Sequence, residues 1–318
     1  MRIGLTGAGG FVGEALAEAL AARHGPSAEI VAIDARLGDV PAGVARAEGD
    51  LTDPAFRASL FSRPFDIFFH LAAIPGGAAA RDYDLGWRVN VEATIAILEA
   101  LAGQPDPARL VFASSIGVFG VPLPTAAVDD ETLPVPTMSY GAQKLMMEAL
   151  VADFARRGLI DGLALRLPGI IARPRQPGGH LSAYMSDILH ALAAGQRFTC
   201  PVEAEAAAWF MSRACVVDNL IHAAELPARR LGSRRAFNLP ALHLTMSQLV
   251  DGAAACIGPR VRGLVAYEPN EALQAQFGAY PALRTPIADA LGFRHDGDAA
   301  TLVARALNRA TVGARGAA

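Results

Sequence analysis

Short apolar runs alternate with longer amphipathic stretches over the first half of the chain. The short runs have the length of strands and cover residues 2–6, 29–34, 44–48, 66–71, 109–114 and 162–167. The longer stretches repeat their apolar positions with the period of a helix. They cover residues 11–23, 54–61, 85–101 and 140–157. Because strands that alternate with helices build parallel sheets with helices on both faces, this pattern predicts a doubly wound α/β domain over residues 1–167.

The pattern changes at Pro168, where a stretch rich in Pro and Gly interrupts the alternation. Beyond it, helical patterns are separated by turn-rich segments and cover residues 181–194, 216–226, 245–256 and 299–308. We therefore expect a domain boundary near Pro168 and a smaller, partly helical substrate-binding lobe over residues 168–318. Part of residues 211–236 is expected to return to the first domain.

The amino-acid composition argues against several classes of protein. The 318 residues include 28 basic and 31 acidic side chains, and the net charge of −3 does not favour binding to nucleic acid. Three cysteines without a CxxC pair cannot form a disulfide framework or a cysteine-based zinc site. No apolar run approaches the roughly 18 residues that a membrane span needs. We expect a cytoplasmic protein that binds a small-molecule substrate, without a metal, membrane or nucleic-acid partner.

A glycine-rich turn joins the first predicted strand to the first predicted helix. Gly7, Gly10 and Gly13 form the pattern GxxGxxG. Glycines allow a tight turn and let the N-terminus of the helix approach a pyrophosphate, whose charge the helix amides stabilise. Such a turn alone is a weak signal. Its position between a strand and a helix, with an acidic residue further on, predicts a dinucleotide site that also includes Phe11 and Val12.

The acidic residue is Asp34, at the end of the second predicted strand. A carboxylate at this position accepts hydrogen bonds from the adenosine ribose hydroxyls and repels a 2′-phosphate. Arg36 could partly offset that repulsion, although a solvated loop arginine is an equally good interpretation. The sequence therefore favours NAD over NADP.

Further candidate cofactor residues stand at the carboxyl ends of predicted strands, where open α/β sheets bind their ligands. They are Asp50, Leu51, Leu71, Ala72, Ala73 and Ser114. Ala72 and Ala73 are small enough for a cofactor to approach the backbone. His70 precedes them, and a single histidine at a strand end is more often a packed, hydrogen-bonded core residue than a catalyst.

Ser115, Tyr140 and Lys144 are the candidate catalytic residues. Ser115 follows the fifth predicted strand, and Tyr140 and Lys144 are four residues apart, so they share one face of a helix. Tyrosine ordinarily has a pKa of about 10, but a neighbouring ammonium and a cationic nicotinamide favour its phenolate. A YxxxK pair is common by chance. Together with the glycine turn and the serine upstream, it predicts an enzyme in which Tyr140 is the general base.

These motifs resemble those of the extended short-chain dehydrogenase/reductases, a family with a Rossmann-type fold, over essentially the whole chain. The resemblance rests on Gly7, Gly10, Gly13, Asp34, Asp50, Leu51, His70, Leu71, Ala72, Ala73, Asn90, Ser115, Tyr140, Lys144, Leu167, Pro168 and Gly169. It implies that Tyr140 is the base, that Lys144 binds the nicotinamide ribose and that Ser115 orients the reacting oxygen.

The same resemblance implies cofactor contacts for three further residues, Asn90, Pro168 and Gly169. It also implies a homodimer, formed through the helices predicted at residues 85–101 and 140–157. The apolar positions of these two helices outnumber those that one sheet face covers, which fits a four-helix interface.

Within the family, residues 81–86, 114–120, 166–168, 200–202 and 219–223 resemble most those of D-erythronate dehydrogenases, which oxidise a four-carbon sugar acid at C2. Two alternatives stay open. Residues 114–120 and the Gly178 and Gly179 loop are also similar to short-chain L-threonine dehydrogenases. Nucleotide-sugar epimerases share the fold and the catalytic residues. Many of them bind the substrate diphosphate through an arginine, but this chain has Met211 and Ser212 at the corresponding positions. Arg213 lies one residue further on.

A sugar acid needs a cation for its carboxylate, and the planar guanidinium of arginine fits a carboxylate best. Arg173 and Arg213 are the candidates, with Arg175 beside the first. Each is also readily interpreted as an ordinary surface arginine. Pro75, Gly76 and Gly77 follow the fourth predicted strand and offer flexible backbone with little side chain, and the sequence assigns them no role.

Overall fold

A computed structural model describes residues 1–175 and 182–309. The loop containing Gly178 and Gly179 and the start of the helix predicted at residue 181 lie outside the described residues. The chain divides into two compact units. Unit 1 comprises Met1–Gly120, Leu133–Leu167 and Val217–Asn238, and unit 2 comprises Val121–Thr132, Pro168–Val216 and Leu239–Ala318.

The strands are numbered in chain order. They are β1 (Arg2–Thr6), β2 (Glu29–Asp34), β3 (Val44–Glu48), β4 (Ile67–His70), β5 (Arg109–Ser115), β6 (Ala127–Val128), β7 (Asp161–Leu167), β8 (Gly169–Ile170), β9 (Phe198–Cys200), β10 (Ala207–Met211), β11 (Ala236–Asn238), β12 (Leu242–Thr245), β13 (Val265–Tyr267) and β14 (Ala282–Leu283).

The α-helices are α1 (Phe11–His24), α2 (Pro54–Leu60), α3 (Gly76–Arg81), α4 (Tyr83–Trp87), α5 (Ala93–Ala102), α6 (Ser139–Arg156), α7 (Tyr184–Ala193), α8 (Arg213–Glu225), α9 (Ala228–Leu231), α10 (Met246–Ile257), α11 (Glu271–Phe277), α12 (Pro286–Leu291) and α13 (Ala299–Ala306). Short 3₁₀ turns occupy Gly25–Ser27, Ile116–Val118 and Pro259–Leu264.

Unit 1 is built on a seven-stranded sheet in the order β11-β7-β5-β4-β1-β2-β3. Every neighbouring pair in it is parallel. The doubly wound fold predicted from the sequence is therefore confirmed. The chain leaves β1 towards β2 and β3 and returns on the other side with β4, so the carboxyl ends of β1 and β4 flank the switch point at which such sheets bind ligands.

Unit 1 differs from the sequence prediction in several elements. The short helices α3 and α9, of six and four residues, were not predicted. The sheet has a seventh strand, β11, whose three residues are too few for a recognisable apolar pattern. The single helix predicted over residues 85–101 is instead α4 and α5, joined by a π-helical turn at Arg88–Glu92. That turn contains Asn90, whose buried side chain binds the backbone of Ile74, as described below.

Unit 2 combines helices with small sheets. A three-stranded sheet has the order β12-β10-β8, and two further pairs are β13-β9 and β14-β6. Apolar residues of α7, α10 and α13 pack with those of β10 in one buried cluster. Helices α7, α10 and α13 of this unit were predicted from their periodicity, whereas α11 and α12 were not, because six or seven residues span fewer than two helical turns. The strands of two to five residues were missed because alternation is not recognisable over so few positions.

No helix among residues 1–175 and 182–309 has the length and hydropathy needed to cross a membrane. In the same part of the chain, no group of three or more His, Cys, Asp and Glu side chains is placed to hold a metal ion.

Candidate active site

The glycine turn between β1 and α1 is packed so closely that side chains do not fit. Gly7 has a φ of +74°, and a Cβ atom there would lie 2.7 Å from the amide nitrogen of Ala72. A Cβ at Gly13 would lie 2.0 Å from the carbonyl oxygen of Gly7. Gly10 precedes α1 without a side-chain cap, so an anionic pyrophosphate can supply acceptors to the first turn of this helix. The turn therefore fits a dinucleotide.

Asp34 lies at the end of β2, beside this turn. Its Oδ2 accepts a hydrogen bond from the amide of Gly9 at 3.0 Å, and its Oδ1 accepts one from the amide of Arg36 at 3.3 Å. A carboxylate has about four lone-pair sites, so these two bonds leave acceptor capacity for ribose hydroxyls. The structure thus holds a fixed negative charge at the turn, which favours NAD over its 2′-phosphorylated form.

The other residues predicted to contact the cofactor at the strand ends are Asp50, Leu51, Leu71, Ala72 and Ala73. Leu71 continues the pairing of β1 and β4, since its amide donates to the carbonyl of Thr6 at 3.2 Å. The carboxylate of Asp50 accepts from the amide of Thr52 at 2.8 Å, and Leu51 is buried in the core of unit 1. Ala72 and Ala73 are partly exposed, as a cofactor contact requires.

His70 is a buried core residue whose imidazole is uncharged at neutral pH. Its Nδ1 lies 2.6 Å from Thr6 Oγ1 and its Nε2 lies 2.9 Å from Thr94 Oγ1. Thr94 donates its own proton to the carbonyl of Asn90, so Nε2 of His70 is the donor and Nδ1 is the acceptor. Burial lowers the pKa of His70 to about 3, with a smaller contribution from the charge of Lys144.

Asn90 ties the segment after β4 to α6. Its Oδ1 accepts from the amide of Ile74 at 2.7 Å. Its Nδ2 donates to the carbonyl of Ile74 at 3.0 Å and to Oε1 of Gln143 at 2.8 Å. Both amide protons are therefore used within the protein, and the cofactor contact expected for Asn90 stays a prediction.

Lys144 is the only lysine of the chain, and it is buried. Its Nζ donates to the carbonyl of Ala113 at 2.7 Å and lies 4.5 Å from the ring centroid of Phe112. The ring centroid of Tyr140 lies 5.7 Å from the same nitrogen. Burial lowers the pKa of Lys144 to about 7, and the charge of Glu148 opposes this shift. Lys144 therefore combines an ammonium close to Tyr140 with a pKa near neutrality.

Glu148, which follows Lys144 by four residues in α6, forms a buried ion pair with Arg166 that was not predicted from the sequence. Nη2 of Arg166 lies 2.7 Å from Oε2 of Glu148, and Nε of Arg166 lies 3.0 Å from Oε1. Nη1 of the same arginine donates to Asn238 of β11 at 3.3 Å. Glu148 is four residues after Lys144, so the spacing of Tyr140, Lys144 and Glu148 along one helix face could have indicated it.

Ser114 belongs to the same buried network. Its hydroxyl donates to Oε1 of Glu148 at 2.5 Å, and the residue is 2% exposed. Ser114 is predicted from the sequence to lie in the cofactor site. In the structure its hydroxyl proton is already used by Glu148, because the alternation of side chains along β5 turns Ser114 away from the face that Ser115 occupies.

Ser115 and Tyr140 meet at the 3₁₀ turn that follows β5. Oγ of Ser115 accepts from the amide of Gly117 at 3.0 Å, a bond that leaves the hydroxyl proton available to a substrate oxygen. A Cβ at Gly117 would lie 3.3 Å from this Oγ and 3.7 Å from Cδ1 of Tyr140. A Cβ at Gly141 would lie 2.0 Å from the carbonyl oxygen of Gly117, so glycine allows the start of α6 to pack on the turn.

The remaining predicted residues lie in unit 2. Gly169 pairs with Phe210 between β8 and β10, and Pro168 before it is buried. Nε of Arg173 donates to the carbonyl of Ile170 at 3.0 Å. Arg213 is the first residue of α8.

Comparisons with known proteins agree with this geometry. Residues 3–208 match the model of the NAD dependent epimerase/dehydratase family. The chain belongs to this family. Family membership confirms the Rossmann-type fold, the assignment as an enzyme of oxidoreductase type and NAD as its cofactor.

Two curated relatives in the epimerase/dehydratase family match most of the chain. A D-erythronate dehydrogenase of Cupriavidus necator is 35% identical over 307 residues, which cover 93% of this chain and 94% of the relative. A D-erythronate dehydrogenase of Haemophilus influenzae is 34% identical over 301 residues, 93% of this chain and 95% of the relative. The resemblance seen in the sequence motifs therefore extends across both units.

Solved structures are also similar. A nucleoside-diphosphate-sugar epimerase from Agrobacterium tumefaciens has a TM-score of 0.88 and 33% identity, covering 95% of this chain and 92% of that one. A GalE-like L-threonine dehydrogenase from Cupriavidus necator has a TM-score of 0.84 and 24% identity, covering 97% and 99%. The second similarity shows the fold alone.

Proposed function

We propose that this enzyme oxidises the secondary alcohol of a small sugar acid with NAD, and that D-erythronate, converted to 2-oxo-tetronate, is its substrate. The observation that carries the proposal is the 35% identity to a D-erythronate dehydrogenase over 93% of the chain. The arrangement of Ser115, Tyr140 and Lys144 supports it, because these groups suit the removal of a proton from an alcohol.

In the proposed reaction, the C2 hydroxyl lies between Ser115 and Tyr140. The hydroxyl of Ser115 donates to the substrate oxygen and orients it. The phenolate of Tyr140 takes the hydroxyl proton as the C–O bond becomes a carbonyl and the C2 hydride leaves. NAD, when bound, supplies the acceptor for that hydride. The ammonium of Lys144 favours the phenolate of Tyr140 and binds the ribose next to the nicotinamide.

The proposed cofactor site follows the edge of the sheet. The glycine turn with Phe11 and Val12 binds the pyrophosphate, and Asp34 binds the adenosine ribose. Hydrophobic and small residues at the strand ends contact the adenine and nicotinamide halves. The further residues proposed to contribute are Asp50, Leu51, Leu71, Ala72, Ala73, Asn90, Pro168 and Gly169.

A nucleotide-sugar epimerase is the second candidate, because the Agrobacterium tumefaciens protein of that description is 33% identical over 95% of this chain. Met211 and Ser212 stand where many such enzymes carry the arginine that binds the diphosphate, and this departure favours the sugar acid. An L-threonine 3-dehydrogenase is the third candidate, on the motif at residues 114–120.

We also propose that the enzyme is a homodimer that contacts its partner through α4, α5 and α6. Two apolar side chains support this surface: Tyr83 on α4 is 52% exposed and Met146 on α6 is 42% exposed. Tyr83 stacks on Trp87 with 6.1 Å between ring centroids, so the exposed ring is held in place. The cytoplasmic location expected from the sequence stays a prediction.

A substrate panel tests the proposed function. With the wild-type enzyme, reduction of NAD is followed at 340 nm for D-erythronate and L-threonine, and conversion of the nucleotide sugar is followed by chromatography of its epimer, because epimerisation causes no net reduction of NAD. We expect kcat/KM for D-erythronate to exceed those for the other compounds by at least a hundredfold. Faster turnover of L-threonine would replace the proposal by the third candidate, and conversion of the nucleotide sugar alone would replace it by the second.

A further inference from the structure

The segment Pro75, Gly76 and Gly77, to which the sequence assigned no role, lies beside the proposed catalytic base. It forms the start of α3. A Cβ atom at Gly76 would lie 3.8 Å from Cβ of Tyr140 and 3.9 Å from its Cγ and Cδ1. The first turn of α3 therefore covers one side of the Tyr140 side chain.

Arg81 ends α3, four residues after Gly77. Helical side chains lean towards the N-terminus of their helix, and Nη1 of Arg81 lies 3.7 Å from the position of a Cβ at Gly77. Side chains of consecutive helical residues point about 100° apart, so the guanidinium of Arg81, beside Gly77, and the side chain of Tyr140, beside Gly76, lie against neighbouring sides of the first turn of α3. Because both residues are glycines, no side chain of theirs projects towards either group.

The guanidinium of Arg81 is exposed. It makes no hydrogen bond, ion pair or ring contact with any residue in the part of the chain that the structure describes. The adjacent acid, Asp82, accepts from the amide of Leu85 at 2.9 Å and caps α4. By contrast, Arg109 pairs with Asp161 and Arg166 pairs with Glu148. Arg81 is thus a cation available to an anionic ligand.

Packing fixes the helix that carries this cation. Ala79 of α3 is fully buried, and a Cβ at Gly86 of α4 would lie 3.0 Å from its Cβ atom. The same Cβ would lie 3.4 Å from Nε2 of Gln143, so α3 and α4 are packed on α6. The packing of α3, α4 and α6 therefore fixes the backbone of α3 at Arg81 relative to Tyr140.

Neither close packing nor backbone conformation requires glycine at Gly76 and Gly77. A side chain at Gly76 or Gly77 would contact nothing closer than 3.7 Å, and neither residue has a left-handed backbone. Alanine favours helices over glycine, so both positions lower the stability of α3 without a gain in packing. Gly76 and Gly77 therefore leave open space beside Tyr140 and Arg81.

We propose that Arg81 binds the carboxylate of the substrate and that Gly76 and Gly77 leave room for the acid between this guanidinium and Tyr140. The proposal rests on the proposed function, since it requires a substrate with a carboxylate next to the reacting alcohol. A guanidinium binds a carboxylate through two parallel hydrogen bonds and thereby orients it. Arg81 takes the role for which the sequence suggested Arg173 or Arg213.

The test compares Arg81→Met with Arg260→Met, which removes another exposed arginine without a described partner. Affinity of D-erythronate for the enzyme–NADH complex is measured by the change in NADH fluorescence, and kcat/KM is measured with D-erythronate. Loss of a charge-assisted pair is expected to weaken binding and lower kcat/KM by about tenfold to over a hundredfold. Arg260→Met and the affinity for NADH itself are expected to stay unchanged.

Two outcomes separate the proposals. If the wild-type enzyme oxidises no sugar acid, the proposed function fails. If it oxidises D-erythronate and Arg81→Met keeps kcat/KM and affinity within twofold, or loses NADH binding equally, the assignment of Arg81 is wrong. Gly77→Ala gives an independent measurement: we expect a higher unfolding temperature with a lower kcat/KM, and unchanged activity would contradict the need for open space.

Discussion

The ammonium of Lys144 is expected to have a pKa of about 7 in the protein without bound NAD, far below its ordinary value of 10.5. Burial is the cause, since the residue is 2% exposed. Glu148 opposes the shift, but its carboxylate is shared with Arg166 and Ser114. The active site therefore holds an ammonium that loses its proton near neutral pH.

The composition of the chain makes this pKa directly measurable. Lys144 is the only lysine, so protein labelled with ¹³C-lysine gives one side-chain signal. We expect its titration midpoint at about pH 7. In Glu148→Gln, the midpoint is expected to fall further, because the charge that raises this pKa is removed. A wild-type midpoint near 10 would refute the reasoning.

The same shift has a consequence for stability. The unfolded chain holds its lysine proton up to about pH 10.4, whereas the folded protein releases it near pH 7. Between these values the unfolded state binds more protons, so the free energy of unfolding rises with pH by up to about 1.4 kcal/mol per unit. At pH 7 the burial of Lys144 therefore lowers the free energy of unfolding by roughly 4 to 5 kcal/mol.

Lys144→Met removes this destabilisation. It also removes the hydrogen bond to Ala113, and this loss lowers the gain in the free energy of unfolding by about 1 to 3 kcal/mol. We expect the variant to be more stable than the wild type by about 2 kcal/mol at pH 7. The difference should close and reverse as the pH approaches 10. Chemical unfolding of both proteins without NAD, at several pH values, measures it, and a difference that is independent of pH would contradict this account.

Three further predictions concern the base, the cofactor turn and the subunit contact. Tyr140→Phe is expected to keep its affinity for NAD in a fluorescence titration while turnover falls by at least about a thousandfold, because the variant lacks only the proton acceptor. Gly13→Ala is expected to weaken NAD binding at least tenfold, since its Cβ would meet the carbonyl of Gly7 at 2.0 Å, whereas Gly38→Ala, with no atom closer than 3.8 Å, leaves binding unchanged. Met146→Glu is expected to convert a dimer into a monomer in light scattering, and a wild-type monomer at all concentrations would contradict the proposed interface.

The sequence was most informative where one local pattern sets the structure. Most residues of β1, β2, β4, β5 and β7 are buried, and β1, β2 and β3 have the predicted bounds. The glycine turn was equally recognisable, because its backbone conformation and close packing exclude other residues. These features depend on neighbours in the sequence.

Features that depend on distant residues were missed. Glu148 and Arg166 look like ordinary charged residues in the sequence, and only the pairing of β5 with β7 beside α6 brings them together. The π-helical turn at Asn90 interrupts a continuous helical pattern, since the asparagine side chain binds the backbone of Ile74. Residues 81–86 were identified in the sequence only by their resemblance, and Arg81 was not a candidate for the carboxylate, because only the folded chain brings α3 beside Tyr140.

The transfer of deuterium from D-erythronate labelled at C2 tests the central claim most directly. The wild-type enzyme is incubated with NAD and the labelled acid, and the NADH formed is analysed by mass spectrometry. Oxidation at C2 predicts NADH that carries one deuterium and a product that has lost it, with both signals reduced by at least about a thousandfold in Tyr140→Phe. Unlabelled NADH would show that another carbon is oxidised, and the absence of any NADH would contradict the proposed reaction altogether.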